Sequence, residues 1–252
     1  MKKFFKANWR FLLFVLIVGL IGGYCIGIYG YDTLSEDTLA VLREQNVTRE
    51  TVAISSMIQY GILYGVVLAA LGIVLSEKVH LWKAFRFEKK AILTTSIIAV
   101  VAALCLFPLD KLIFGSLNVW VRDQYSTPPT VRKILGGLLV GGIIEEVMMR
   151  LFFMSLCAFI LSRIFYKSED EIPVRTYVIA NILAAILFAA GHLPSTMTMT
   201  ALTPVILLRC FLFNGGLGLG FGYLYRKYGI GYAMIAHGSA HLISDILMMV
   251  FV

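Results

Sequence analysis

Apolar runs long enough to cross a bilayer alternate along this chain with short polar segments. They fall at about 9–30, 53–76, 91–109, 134–161, 176–193, 200–225 and 230–251. Each is close to the roughly 20 residues that a helix needs to span ~30 Å of hydrocarbon. Lipid offers no hydrogen bonds, so a spanning segment must satisfy its own backbone and becomes helical. The pattern predicts an all-α fold, a polytopic membrane helix bundle of about seven to eight transmembrane helices. The spans leave no room for a second, soluble unit, so a single integral membrane domain over 1–252 is expected. No internal repeat or low-complexity segment interrupts it.

Composition agrees. Of 252 residues, 59% are hydrophobic and only 15% charged, far from the balance of a soluble domain. The net charge of +7 does not point to nucleic acid, because the basic residues sit in short segments beside the spans. The start (Lys2, Lys3, Lys6, Arg10) is basic and the first loop, with Asp32, Glu36, Asp37, Glu44 and Glu50, is acidic. The next loop, with Lys78, Lys83, Arg86, Lys89 and Lys90, is strongly basic. The loop at 110–133 is mixed, that at 162–175 carries Arg163, Lys167 and Arg175, and Arg226–Lys227 precede the last span. This alternation predicts a cytoplasmic N-terminus, an external C-terminus and the cell membrane as location. Within "DKLIFGSLNVWVRDQYSTPPT", an interfacial helix near 111–125 competes with irregular loop.

Cys25, Cys105, Cys157 and Cys210 lie inside apolar stretches and suggest neither disulfides nor a metal site. The N-terminal segment imitates a signal peptide. Its apolar run from Phe11 to Tyr29 is too long for an h-region of about 7–15 residues, and Tyr24 before Cys25 spoils a small-residue cleavage site. It reads as the first span.

Against this background the polar residues inside spans stand out. "GGIIEEVMMR" places Glu145, Glu146 and Arg150 in one apolar run. Asp245, His192, His237, His241 and Arg209 are likewise intramembrane, and Asp110 is assigned to a loop just past the third span. An ionised side chain at mid-bilayer costs about 2.5–3.5 kcal/mol on insertion scales, so these groups should face one another or a wet cavity. On an α-helix Glu146 and Arg150, at i,i+4, share a face and can pair. Glu145 points about 100° from Glu146 and about 140° from Arg150, so that pair does not neutralise it. It needs a partner on another helix, a proton or a metal, and is the better candidate for chemistry. His192 shares a face with Phe188, four residues earlier. His237, His241 and Asp245 form a column at i,i+4 spacing, suited to holding a metal or to orienting a histidine through a carboxylate. Glycines 215, 216, 218, 220 and 222 offer a small-residue face for close packing of the last helix. Neither HExxH nor GxSxG occurs, and no cofactor fingerprint does.

"EEVMMR" (145–150), "FAAGH" (188–192) and "HGSAH" (237–241) resemble the EExxxR, FxxxH and HxxxN/D motifs of the CPBP family. That family comprises type II CAAX prenyl endopeptidases and bacteriocin-processing (Abi) intramembrane proteases. The resemblance covers roughly 134–245, a CPBP/Abi-like catalytic core, and includes the Gly-rich segment before the last motif. It implies that Glu145 and His192 activate the hydrolytic water, that His237 and His241 stabilise the oxyanion, and that Glu146 and Arg150 support the site beside Phe188 and Asp245. The sequence departs from the pattern at His241, where the family has Asn or Asp. A histidine there can still donate to an oxyanion, and it also improves a zinc ligand set of Glu145, His192, His237 and His241. The family's usual label is metalloprotease, while its motif also admits a metal-free, glutamate-type mechanism. The implied activity is hydrolysis of a peptide bond in a hydrophobic, prenylated or membrane-associated peptide. Two other readings compete: a proton- or ion-coupled transporter, which uses the same buried groups, and an inactive immunity or scaffold member of the family. The absence of an inverted repeat weighs against the transporter.

Overall fold

The computed structural model describes residues 2–166 and 172–252; Lys167 of the basic loop lies outside them. Among the described residues there are helices and no strands. Seven of the helices are long and apolar enough to cross a membrane. In chain order the elements are α1 (Lys3–Asp32), the short α2 (Glu36–Glu44), α3 (Arg49–Lys78), α4 (Lys89–Leu117), the short α5 (Val119–Asp123), α6 (Val131–Phe165), α7 (Val174–Met197), α8 (Pro204–Tyr228) and α9 (Ile230–Phe251). Each span of the hydrophobic pattern is present, and most run several residues beyond it. The protein is an integral membrane helix bundle.

Local sequence sets the helix starts. Side chains of Ser35, Thr48, Asn118, Thr130 and Thr203 accept from backbone N–H groups of the first turns of α2, α3, α5, α6 and α8. These caps satisfy donors that a helix cannot satisfy itself. Gly229 alone separates α8 from α9, at φ 102°. That backbone region suits glycine because it has no Cβ.

The spans alternate in direction, as contacts between their ends show. At one end Tyr177 donates to the Val79 carbonyl, and Lys83 to the carbonyls of Arg226 and Lys227. At the other, the Ser35 N–H and Thr38 hydroxyl donate to the Thr198 carbonyl, and Lys133 meets Asp245. The core joins Val15, Ile73, Ile144, Leu151, Phe221 and Leu224 across four spans. Outward faces carry exposed Leu13, Ile17, Ile62, Val100, Ile182 and Ile186, as acyl chains require.

Two expectations are corrected. The segment 111–125 is not one interfacial helix. α4 continues through Leu117, Asn118 caps a new start, and α5 tucks inward with Val121 fully buried. Asp110, assigned to a loop, therefore lies within α4 and is 1% exposed. Arg209 Nε reaches its Oδ1 at 2.8 Å, and the Tyr125 hydroxyl donates to it as well. Burial, reinforced by the charge of Asp110, pushes the Tyr125 hydroxyl well above the ordinary tyrosine range. Arg209, an unpaired intramembrane cation in sequence, thus has its counter-charge on another helix.

Candidate active site

α6 brings both glutamates to the centre of the bundle. Its backbone is wider than an α-helix around them: the Glu145 N–H reaches back five residues to the Val140 carbonyl. Such wide turns recur at functional sites because they turn a side chain away from its regular position. Glu146 is fully buried and Glu145 is 22% exposed, so the doublet divides into an inner and an outer carboxylate.

The inner one meets two partners. Arg150 Nη1 lies 3.3 Å from Glu146 Oε1, the i,i+4 pair that spacing suggests. His237 Nδ1 lies 2.9 Å from the same oxygen. Arg150 donates through Nη2 to the Gly218 carbonyl at 2.9 Å. Its guanidinium lies over Phe188, 4.8 Å from the ring centre, and near Phe221 at 5.7 Å. The aromatic faces give a buried cation a favourable surface where water is absent. Phe221 in turn stacks on His237, with ring centres 4.4 Å apart.

The outer carboxylate faces His192 of α7. Glu145 Oε1 and His192 Nε2 are 4.0 Å apart. His192 Nδ1 is 2.7 Å from the Phe188 carbonyl one turn earlier, which calls for a proton on Nδ1. In the neutral ring Nε2 is then an acceptor aimed at Glu145. Two acceptors at this separation suit a shared water, which donates one proton to each. Phe188 sits between the histidines, 4.7 Å from His192 and 6.0 Å from His237 by ring centres.

His241 stacks on His237, one turn on in α9, at 5.0 Å. Space for its ring comes from glycines of α6. A Cβ on Gly141 would stand 2.7 Å from His241 Nε2, and one on Gly137 3.3 Å from Nδ1. Gly142 goes further, for a Cβ there would overlap the Cα of Gly238. α6 and α9 thus cross almost backbone to backbone. This corrects the expectation for the glycines of α8. Gly218 meets Arg150 and Phe188, Gly222 meets Asn181 of α7, and Gly215 lies nearest Ala185 and Ala189 of α7. Their face packs on α6 and α7, and the close contact of the last helix is made by Gly141 and Gly142 instead. Asp245 does not reach toward the histidines as the column suggested. It pairs with Lys133 of α6 at 3.4 Å.

A cavity of about 450 Å³ joins these groups. Glu145, Phe188, His192, His237 and His241 line it, with Tyr60 of α3 among the residues that the motifs did not signal. Among the described residues no three His, Cys, Asp or Glu side chains gather as ligands for one metal ion. His237 turns Nδ1 to Glu146, and His241 lies parallel to His237 rather than converging with His192. The zinc set of Glu145, His192, His237 and His241 does not fit this arrangement.

The fold and site together define a polytopic membrane bundle that holds carboxylates and imidazoles around an internal cavity. Residues 127–243, a little under half of the chain, match the family model described as Type II CAAX prenyl endopeptidase Rce1-like. That segment contains all three motifs and spans α6 to most of α9, while α1, α3 and α4 lie outside it. No curated protein and no solved structure matches the chain.

Proposed function

We propose that the protein is an intramembrane endopeptidase that hydrolyses a peptide bond in a hydrophobic, prenylated or membrane-associated peptide, by a metal-free mechanism based on Glu145. The observation that carries this reading is the convergence of Glu145 and His192 Nε2 on one cavity, 4.0 Å apart, with His192 Nδ1 turned to the Phe188 carbonyl. Residues 134–245 form the catalytic core of a single membrane domain.

Water between Glu145 and His192 gives a proton to Glu145 as its oxygen bonds to the peptide carbonyl carbon. The carbonyl oxygen becomes an oxyanion, stabilised by an N–H of His241 and by His237 in the state that carries protons on both ring nitrogens, Nδ1 being held by Glu146. The C–N bond then breaks, and Glu145 returns the proton to the departing nitrogen, so one water is consumed and no other reagent is needed. General base catalysis of this kind contributes roughly 10²–10⁴-fold. Glu146 and Arg150 do not touch the substrate in this scheme. They hold His237 and Phe188, and through Phe188 the turn that orients His192.

The test is cleavage of quenched fluorescent peptides, farnesylated and unmodified, by purified protein in detergent. Wild type is expected to release fluorescence and Glu145→Ala to release none at equal amounts of folded protein. A Glu145→Ala variant with full activity removes the assignment.

A further inference from the structure

The cavity has a direction. Its lining residues in α1 (Tyr29, Tyr31), α3 (Val52, Ser56) and α7 (Ser195) lie toward the same end of the bundle as the 33–48 segment and Thr198. The mouth is made by Tyr31, Leu34, Thr198 and Met199, where the Ser35–Thr198 backbone contact ties the first loop to the end of α7. From there its lining runs to Glu145, Phe221 and His237, the residues farthest along their spans from that end.

The floor is closed on the other side. Gly142 and Gly238 bring α6 and α9 together with no room for a Cβ, and Arg150 fills the space behind Phe188 and Phe221. A second hollow, at the opposite end, is lined by Phe11, Trp82, Phe85, Leu138, Met234 and Gly238. It contains no carboxylate or imidazole, and the α6–α9 crossing separates it from Glu145.

The two ends also differ in charge. The closed end carries Lys3, Lys6 and Arg10 in the first turns of α1, then Lys78, Lys83, Arg86, Lys89 and Lys90 where α3 ends and α4 begins. Arg163, Arg175, Arg226 and Lys227 lie beside the remaining spans at that end. The mouth end has Arg43, Arg49, Lys111, Arg122, Arg132 and Lys133, and several are tied: Arg49 to Asp32, Lys133 to Asp245, Arg122 to Asp123. Lys and Arg in short loops remain on the cytoplasmic side of a membrane during insertion.

We infer that the catalytic cavity opens away from the cytoplasm, and that the substrate is a peptide segment presented at the extracytoplasmic face of the membrane rather than a cytosolic C-terminal tail. This rests on the proteolytic reading and narrows its substrate class. Such a peptide has already crossed the membrane, or is a loop next to a span of another membrane protein. It enters past Leu34 and Met199 with an apolar side chain leading toward Phe188 and Phe221. The reaction that supplies it is therefore export or membrane insertion, and the water consumed comes from the external phase.

Sidedness is read first by thiol labelling in intact cells, which needs no cleavage. The native cysteines are buried or partly buried, so the unaltered chain is the blank. Ser195→Cys, at the cavity wall, is expected to react with a membrane-impermeant maleimide in intact cells. Ala84→Cys, in the basic turn, is expected to react only after permeabilisation. The reverse pattern overturns the inference. Activity is read second, with a charged, impermeant quenched peptide, in sealed vesicles and again in detergent. Sealed right-side-out vesicles should cleave it from outside, and inside-out vesicles only after detergent is added. Cleavage by sealed inside-out vesicles alone sinks the inference and leaves the protease intact. No cleavage even in detergent, with Ser195→Cys labelled from outside, removes the protease while the orientation stands.

Discussion

His237 is bound to Glu146 and not to Glu145: its Nδ1 lies 2.9 Å from Glu146 Oε1, while the same carboxylate sits 3.3 Å from Arg150. One fully buried glutamate thus anchors α9 to α6 and balances a buried guanidinium. Glu145 keeps its carboxylate toward the cavity. The two residues are adjacent in sequence and belong to different contact networks.

Removal of Glu146 is expected to damage folding before chemistry. Loss of one member of a buried ion pair costs about 3–5 kcal/mol, because the partner charge stays buried without compensation. Glu146→Ala should lower the thermal midpoint in detergent and the yield of monodisperse protein by more than Glu145→Ala does. A Glu146→Ala protein with wild-type stability and no turnover would reverse the roles of the two glutamates.

Glu145→Gln should do the opposite. The side chain lines the cavity and is partly exposed, so the amide is accommodated with little loss of stability. Without a base, kcat is expected to fall by roughly 10²–10⁴-fold. Peptide cleavage and thermal unfolding, measured on one preparation, separate the two effects.

The crossing of α6 and α9 makes a graded pair of glycine substitutions. Gly142→Ala puts a methyl onto the Cα of Gly238, against backbone that cannot move aside, and is expected to abolish accumulation of folded protein. Gly141→Ala meets only the His241 ring edge, at 2.7 Å. It should fold, displace His241 and lower kcat with a smaller change in KM. Equal yield for both variants would refute the backbone contact.

Asp110 and Arg209 join α4 to α8 beside the mouth of the cavity. Asp110→Leu and Arg209→Leu should each destabilise by about 3–5 kcal/mol, and the double variant by much less, since no charge is then stranded. Near-additive losses in a double-mutant cycle of thermal unfolding would show that the pair contributes nothing as a pair.

Exhaustive chelation is expected to leave turnover unchanged, because Glu145, His192, His237 and His241 do not converge as one ligand set. Peptide cleavage before and after chelation, with metal analysis of the same sample, checks this. Loss of activity restored by stoichiometric zinc would refute it.

The spans were legible in sequence because lipid enforces them: every apolar run of about 20 residues has one way to satisfy its backbone. The Glu146–Arg150 pair was legible because i,i+4 spacing sets neighbours on a helix whatever surrounds it. The family motifs marked three helices that come together, and that part of the chain matches the Rce1-like family model. Asp110 escaped because Pro108 and the charged pair Asp110–Lys111 interrupt the apolar run, although the helix continues to Leu117. The partners of the polar residues came only from the tertiary structure. Asp245 lies in a column with His237 and His241 but pairs with Lys133, and Glu146 binds a histidine 91 positions away. The glycines that make room for His241 lie on α6, not in the Gly-rich stretch of α8. Periodicity specifies which face of a helix is polar. Which face it meets, at what depth and with which end open to water, depends on how helices distant in sequence cross.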